Sequence, residues 1–195
     1  MLEWKWWGIH FCISLWFPAA VIAMLTFDET TLAAQCLLAS FVHEGGHFLA
    51  MAAVGDRPAR LCFGVFGMRV ERRPDSSLGY GRAALVSVAG PVANLLCCVV
   101  LWLWGSAEAA FIHGVLATFH LLPVLSLDGG EALYSLCCLV STEHRAHTVM
   151  LIVSAVVLFP LSALGFYVLL QTGYNFSLLL LAVYLIALLI FKEKH

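Results

Sequence analysis

Residues 31–54 read T-L-A-A-Q-C-L-L-A-S-F-V-H-E-G-G-H-F-L-A-M-A-A-V. The run is apolar apart from Gln35 and the group His43, Glu44 and His47. At about 1.5 Å per residue a helix over this stretch spans roughly 36 Å, enough to cross a hydrocarbon layer of about 30 Å. A carboxylate and two imidazoles are costly at that depth unless they are paired or coordinated. Positions i and i+4 share one helix face, so His43 and His47 can hold one metal ion together. Glu44 beside them can take a proton from bound water. The plainer alternative is a polar group bracing helix contacts. Gly45 and Gly46 allow another helix or a substrate backbone to come close.

The rest of the chain is of the same kind. Of 195 residues, 62% are hydrophobic and 11% charged, with a net charge of -2. A soluble domain carries about 25% charged residues. This composition excludes an ordinary soluble enzyme, a disordered tail and a basic nucleic-acid binder, so no nucleic-acid partner is expected. The expected fold is an all-α polytopic membrane protein forming a single domain over 1–195. Six spans are expected at 6–27, 31–54, 83–104, 109–140 (broken near Pro123), 148–170 and 176–191, with a turn over 171–175. The first run has Glu3 beside Lys5 and no clear cleavage site, so it reads as a retained helix with Trp4, Trp6 and Trp7 at the interface. Between the second and third spans, L-C-F-G-V-F-G-M-R-V (61–70) is too short to cross and reads as a membrane-associated strand or hairpin. Such a strand is either a structural loop or an edge able to pair with an extended peptide.

Orientation follows from the basic residues. Arg57, Arg60, Arg69, Arg72 and Arg73 fall between spans two and three, Arg145 between four and five, and Lys192 and Lys194 after span six. The alternate loops carry Asp28, Glu29 and Glu108. Both termini are therefore expected on the cytoplasmic side, with the metal in the cytoplasmic half of the membrane. Cys12, Cys36, Cys62, Cys97, Cys98, Cys137 and Cys138 lack metal-type spacing and are expected to be buried small hydrophobes.

Two imidazoles leave a catalytic zinc one protein ligand short. Asp28, Asp56 and Asp75 fall in loops, whereas Asp128 follows the apolar run H-L-L-P-V-L-S-L-D-G-G (120–130) and is the expected third ligand. Pro123 breaks the helix before it, and Gly129 and Gly130 loosen it just after. The alternatives are Asp128 as a helix cap and Glu131 as a competing carboxylate.

His43-Glu44-x-x-His47, Ala89-Gly90-Pro91 and Leu127-Asp128-Gly129 occur in the order found in the site-2 proteases, the zinc intramembrane metalloproteases, which this chain resembles over nearly its whole length. The resemblance implies one zinc ion on His43, His47 and Asp128, Glu44 as catalytic base, and a transmembrane or membrane-tethered protein as substrate. It also implies that the 60–73 region steers the substrate, and it leaves room for an inhibitory membrane protein as a second partner. Within the family the chain is most like the sporulation stage IV protease of the FB type, whose substrate is a sigma-factor precursor and whose C-terminal CBS domain has no counterpart here. Where the family has Asn, this chain has His120. A neutral imidazole can donate a hydrogen bond as Asn does, so His120 and Asn94 are expected to hold the substrate or its tetrahedral intermediate. The alternatives are Asn94 as a helix-to-helix contact and His120 as a fourth metal ligand that would close the site. Two rival functions share these residues, an inactive member binding a membrane partner and a metal transporter. A transporter predicts further ligands along a path, for which His10 and His113 are the available candidates.

Overall fold

A computed structural model describes residues 2–6, 9–28, 30–56, 58–64, 67–72 and 78–193. Trp7, Glu29, Arg57, Arg73, Asp75 and Lys194, which entered the reading above, lie outside them. The chain runs β1 (Leu2–Trp6), β2 (Ile9–Ile13), α1 (Trp16–Phe27), α2 (Leu32–Ala53), β3 (Pro58–Gly64), β4 (Gly67–Arg72), α3 (Tyr80–Leu103), α4 (Ala107–His120), α5 (Asp128–Val140), α6 (Glu143–Thr172) and α7 (Ser177–Glu193).

The first expected span, 6–27, is not one helix. Residues 9–13 form β2, and the helix begins only at Trp16. An uncharged run has no feature that separates one long helix from a strand followed by a short one. The alternation of Ile9, Phe11 and Ile13 with His10 and Cys12 is the period of a strand. The four strands form one sheet in the order β1-β2-β3-β4, antiparallel at both ends and parallel between β2 and β3. Strand β3, which covers the first part of the 61–70 run, has both edges taken, and β4 is an edge strand.

Cys12 and Cys62, expected as buried small hydrophobes, face each other in the parallel register of β2 and β3 and form a disulfide. Parallel pairing of strands far apart in sequence leaves no spacing signal. The other five cysteines are free.

Helix α1 buries none of its residues. Asp28 ties it to α2: Oδ1 accepts from the Thr30 hydroxyl at 2.7 Å and its amide at 2.9 Å, and Oδ2 accepts from the Ala33 amide at 2.6 Å. These donors hold its carboxyl below the ordinary carboxylate range. They also satisfy an amide in the first turn of α2 that has no partner within the helix.

Helix α3 packs against α2, α4 and α5. Its buried face, Ala83, Ser87, Gly90, Pro91 and Asn94, repeats at three to four residues and is built of small side chains. Gly46 of α2 sits against it so closely that a Cβ there would lie 2.6 Å from the Ala89 carbonyl oxygen. Gly45, by contrast, has no such neighbour within 4 Å.

Over the fourth expected span the chain forms two helices. Helix α4 ends at His120 and α5 begins at Asp128. The connection folds back so tightly that a Cβ on Gly129 or Gly130 would overlap the carbonyls of Leu121 and Val124 respectively. Helix α6 supports it from outside: the Ser154 hydroxyl accepts from the Leu125 amide at 2.9 Å and donates to the Met150 carbonyl at 2.7 Å. Val124 and Leu127 pack with Leu158 of α6 and Leu185 of α7 into one apolar cluster.

Among the described residues two helices, Tyr80–Leu103 and Glu143–Thr172, are long and apolar enough to cross a membrane, and Trp16–Phe27 and Ser177–Ile190 are shorter apolar helices. The exterior is apolar, with Phe41, Trp102, Phe111 and Phe159 each more than 60% exposed. Contiguous apolar surface on this scale marks contact with a membrane or another apolar partner.

Candidate metal centre

Two elements bring three donors together. His43 and His47 lie one turn apart on α2, and Asp128 opens α5, where a carboxylate also meets the positive end of the helix dipole. His43 Nε2 is 2.9 Å from Asp128 Oδ2, His47 Nε2 is 3.5 Å from Oδ1, and the two Nε2 atoms are 3.2 Å apart. All three ligand atoms lie within 4.8 Å of one another, and this is the one such group among the described residues.

The donor set fits a divalent ion. His47 Nδ1 lies 2.8 Å from the Val86 carbonyl oxygen, which only accepts, so Nδ1 carries the proton and Nε2 turns a lone pair inward. Gly90 makes room for that ring, since a Cβ there would overlap the imidazole. Two imidazoles and a carboxylate are a common catalytic zinc set, three protein ligands with one position open.

Glu44 is half-buried and within electrostatic reach of His47, Asp128 and His120. The break brings His120 to the centre, its Nδ1 2.7 Å from Asp128 Oδ2. A carboxylate only accepts, so His120 donates and orients the carboxylate. It is not one of the three convergent donors. The side chains of Asp128 and His120 are 22% and 26% exposed, against 3% for His43, so the centre opens on the α4–α5 side.

Asn94 is fully buried on α3, with Nδ2 3.3 Å from His43 Nδ1 and Oδ1 2.9 Å from His113 Nδ1. Both its polar atoms are engaged with histidines of neighbouring helices, the helix-to-helix contact offered as the alternative. His113 of α4, 4% exposed, was offered by the sequence only as a transport ligand. Its partner sits on another helix, 19 residues away, and no spacing within its own helix signals the contact.

No protein-family profile and no curated protein sequence matches the chain. Among solved structures it is similar to the site-2 protease from Methanocaldococcus jannaschii, at 15% identity and a TM-score of 0.62, over 94% of this chain and 91% of that one. The chain has a site-2 protease-like fold. A His-His-Asp group at the meeting of α2 and α5 stands within that fold.

Proposed function

We propose that this protein is a zinc-dependent intramembrane endopeptidase acting on a transmembrane or membrane-tethered protein. The observation that carries the reading is the convergence of His43 Nε2, His47 Nε2 and the Asp128 carboxylate within 4.8 Å. The site-2 protease-like fold supports it.

His43, His47 and Asp128 would hold the zinc, which when bound polarises a carbonyl and makes water more acidic. The remaining chemistry belongs to the chain. A substrate helix must unwind before cleavage, because its carbonyls are otherwise engaged in its own hydrogen bonds. Strand β4, at the edge of the sheet, offers the extended segment a partner. Glu44 takes a proton from the attacking water and returns it to the leaving amine. His120 holds Asp128 in place through its donated hydrogen bond.

In this reading the chain crosses a bacterial cell membrane six times by helical segments, with both termini and the arginine-rich sheet region cytoplasmic. The first crossing rests on α1, whose 12 residues rise about 18 Å. A transcription- or sigma-factor precursor is the kind of substrate such an enzyme releases, and an inhibitory membrane protein would restrain it. The sporulation context rests on sequence resemblance alone.

Purified protein in bilayers should contain one zinc and cleave a single-span reporter within or beside its transmembrane segment. Chelation should stop the cleavage. Zinc-loaded protein that cleaves no tethered reporter would favour a binding role instead.

A further inference from the structure

Helices α3 and α4 leave an open apolar groove of about 570 Å³ between them. Cys98 and Trp102 of α3, four positions apart, line one wall, and Phe111, Val115 and Phe119 of α4, at the same interval, line the other. Leu122, just past α4, lines the inner end. The floor is tight, since a Cβ on Gly114 would stand 3.2 Å from Cys98 Sγ. Trp102, Phe111 and Val115 are each more than half exposed. The volume falls within the range of about 300–1,000 Å³ that accepts a sizeable apolar ligand. The Thr118 hydroxyl, which also lines it, donates to the Gly114 carbonyl at 2.8 Å. The groove therefore suits an apolar occupant rather than a polar peptide.

Lipid chains are as apolar as leucine, so apolarity alone does not choose between a lipid and a helix. The position of the groove does. Along α3, the sheet precedes Tyr80, the metal centre lies at the level of Val86 and Gly90, which touch His47, and the groove occupies 95–102. Its inner end flanks His120, on the side where the centre is open. Phe119 and Leu122 also pack on the Val124 and Leu127 cluster, within the fold-back that carries Asp128. From Phe111 to Leu122 the groove follows about 16 Å, three turns of a docked helix.

We propose that this groove docks the part of the substrate's transmembrane segment that stays helical, an inference that rests on the protease reading above. The docked helix lays its side chains between α3 and α4. Beyond Leu122 the segment unwinds, passes the metal centre and continues extended toward β4. Val115 and Trp102 then determine which transmembrane segments are accepted, and neither touches the reacting atoms.

A single-span reporter tests this, its helix rich in leucine and alanine and broken near the middle by one Gly-Pro pair. Full-length protein carrying Glu44→Gln, in bilayers, receives a photocrosslinking residue in place of Val115 or, as a control, of Val156, an exposed residue of α6. Val115 should crosslink to the helical half of the reporter and Val156 should not. With Glu44 intact, Val115→Trp should lower kcat/KM for the reporter about 10-fold or more, the lower end for a volume change in an apolar pocket, and chiefly through KM. Val156→Trp should cleave as the unaltered protein does. Cleavage by the unaltered protein with crosslinks from Val115 only to lipid, or to the reporter only from Val156, overturns the groove and leaves the protease reading standing. Unchanged kinetics in Val115→Trp does the same. Crosslinking from Val115 without cleavage by the unaltered protein supports the groove and overturns the protease reading, and neither crosslinking nor cleavage overturns both.

Discussion

His120 Nδ1 lies 2.7 Å from Asp128 Oδ2, although the two residues are eight positions apart, His120 closing α4 and Asp128 opening α5. In a straight helix they would stand about 12 Å apart. The fold-back at 121–127 therefore builds the site, because it turns a linear sequence into a donor–acceptor pair at the metal position. If His120 orients Asp128, His120→Ala should weaken zinc affinity about 10- to 100-fold, as for other residues that hold a ligand. His120→Asn, which can also donate, should restore most of it. A purely substrate-binding His120 would instead leave zinc affinity intact and change only turnover.

The two glycines inside His43–His47 should respond differently to a methyl group. Gly45→Ala meets nothing within 4 Å and adds helix propensity, so it should leave thermal stability equal or raise it by up to about 1 kcal/mol. Gly46→Ala presses on the Ala89 carbonyl and the Ala93 side chain and should destabilise by about 1–3 kcal/mol through overpacking. Melting of both variants in the same detergent checks the pair, and an equal response would contradict the close approach of α2 and α3.

The hydroxyl of Ser154 supplies the partner of the Leu125 amide within the fold-back. Ser154→Ala removes this bond to the buried Leu125 amide and should cost about 0.5–1.5 kcal/mol. Because Leu125 leads into Asp128, zinc affinity should fall with stability. Unchanged melting and zinc affinity would show that the connection does not depend on this bond.

These residues mark how far the sequence could be read. His43 and His47 are legible because helical spacing puts them on one face, and Asp128 because Pro123 and Gly129-Gly130 bracket it within apolar surroundings. His113, Asn94 and Ser154 act across helices, and a single sequence carries no signal of which helix faces meet. The strand at 9–13 is not legible because absence of charge, which identifies a buried run, is indifferent to helix or strand. The Cys12–Cys62 pair depends on the parallel register of β2 and β3, which forms only when the sheet does.

That pair also tests orientation. Disulfides persist in oxidising compartments and are rare in the cytosol. With the sheet on the cytoplasmic side, as its arginines argue, thiol labelling of quenched intact cells should count all seven cysteines free. Oxidation of isolated membranes should reduce the count to the five that the structure leaves unpaired. Five free thiols in quenched cells would put the sheet on the opposite face.

The central claim is that Glu44 moves the proton at a zinc held by His43, His47 and Asp128. Its most direct measurement is cleavage of a single-span reporter in bilayers by purified full-length protein and by Glu44→Gln, with zinc content determined for both. The account predicts equal zinc in the two proteins and a loss of cleavage of at least 100-fold in Glu44→Gln, the lower end of what a positioned general base contributes at about 10²–10⁴-fold. Cleavage by Glu44→Gln at the rate of the unaltered protein would contradict it.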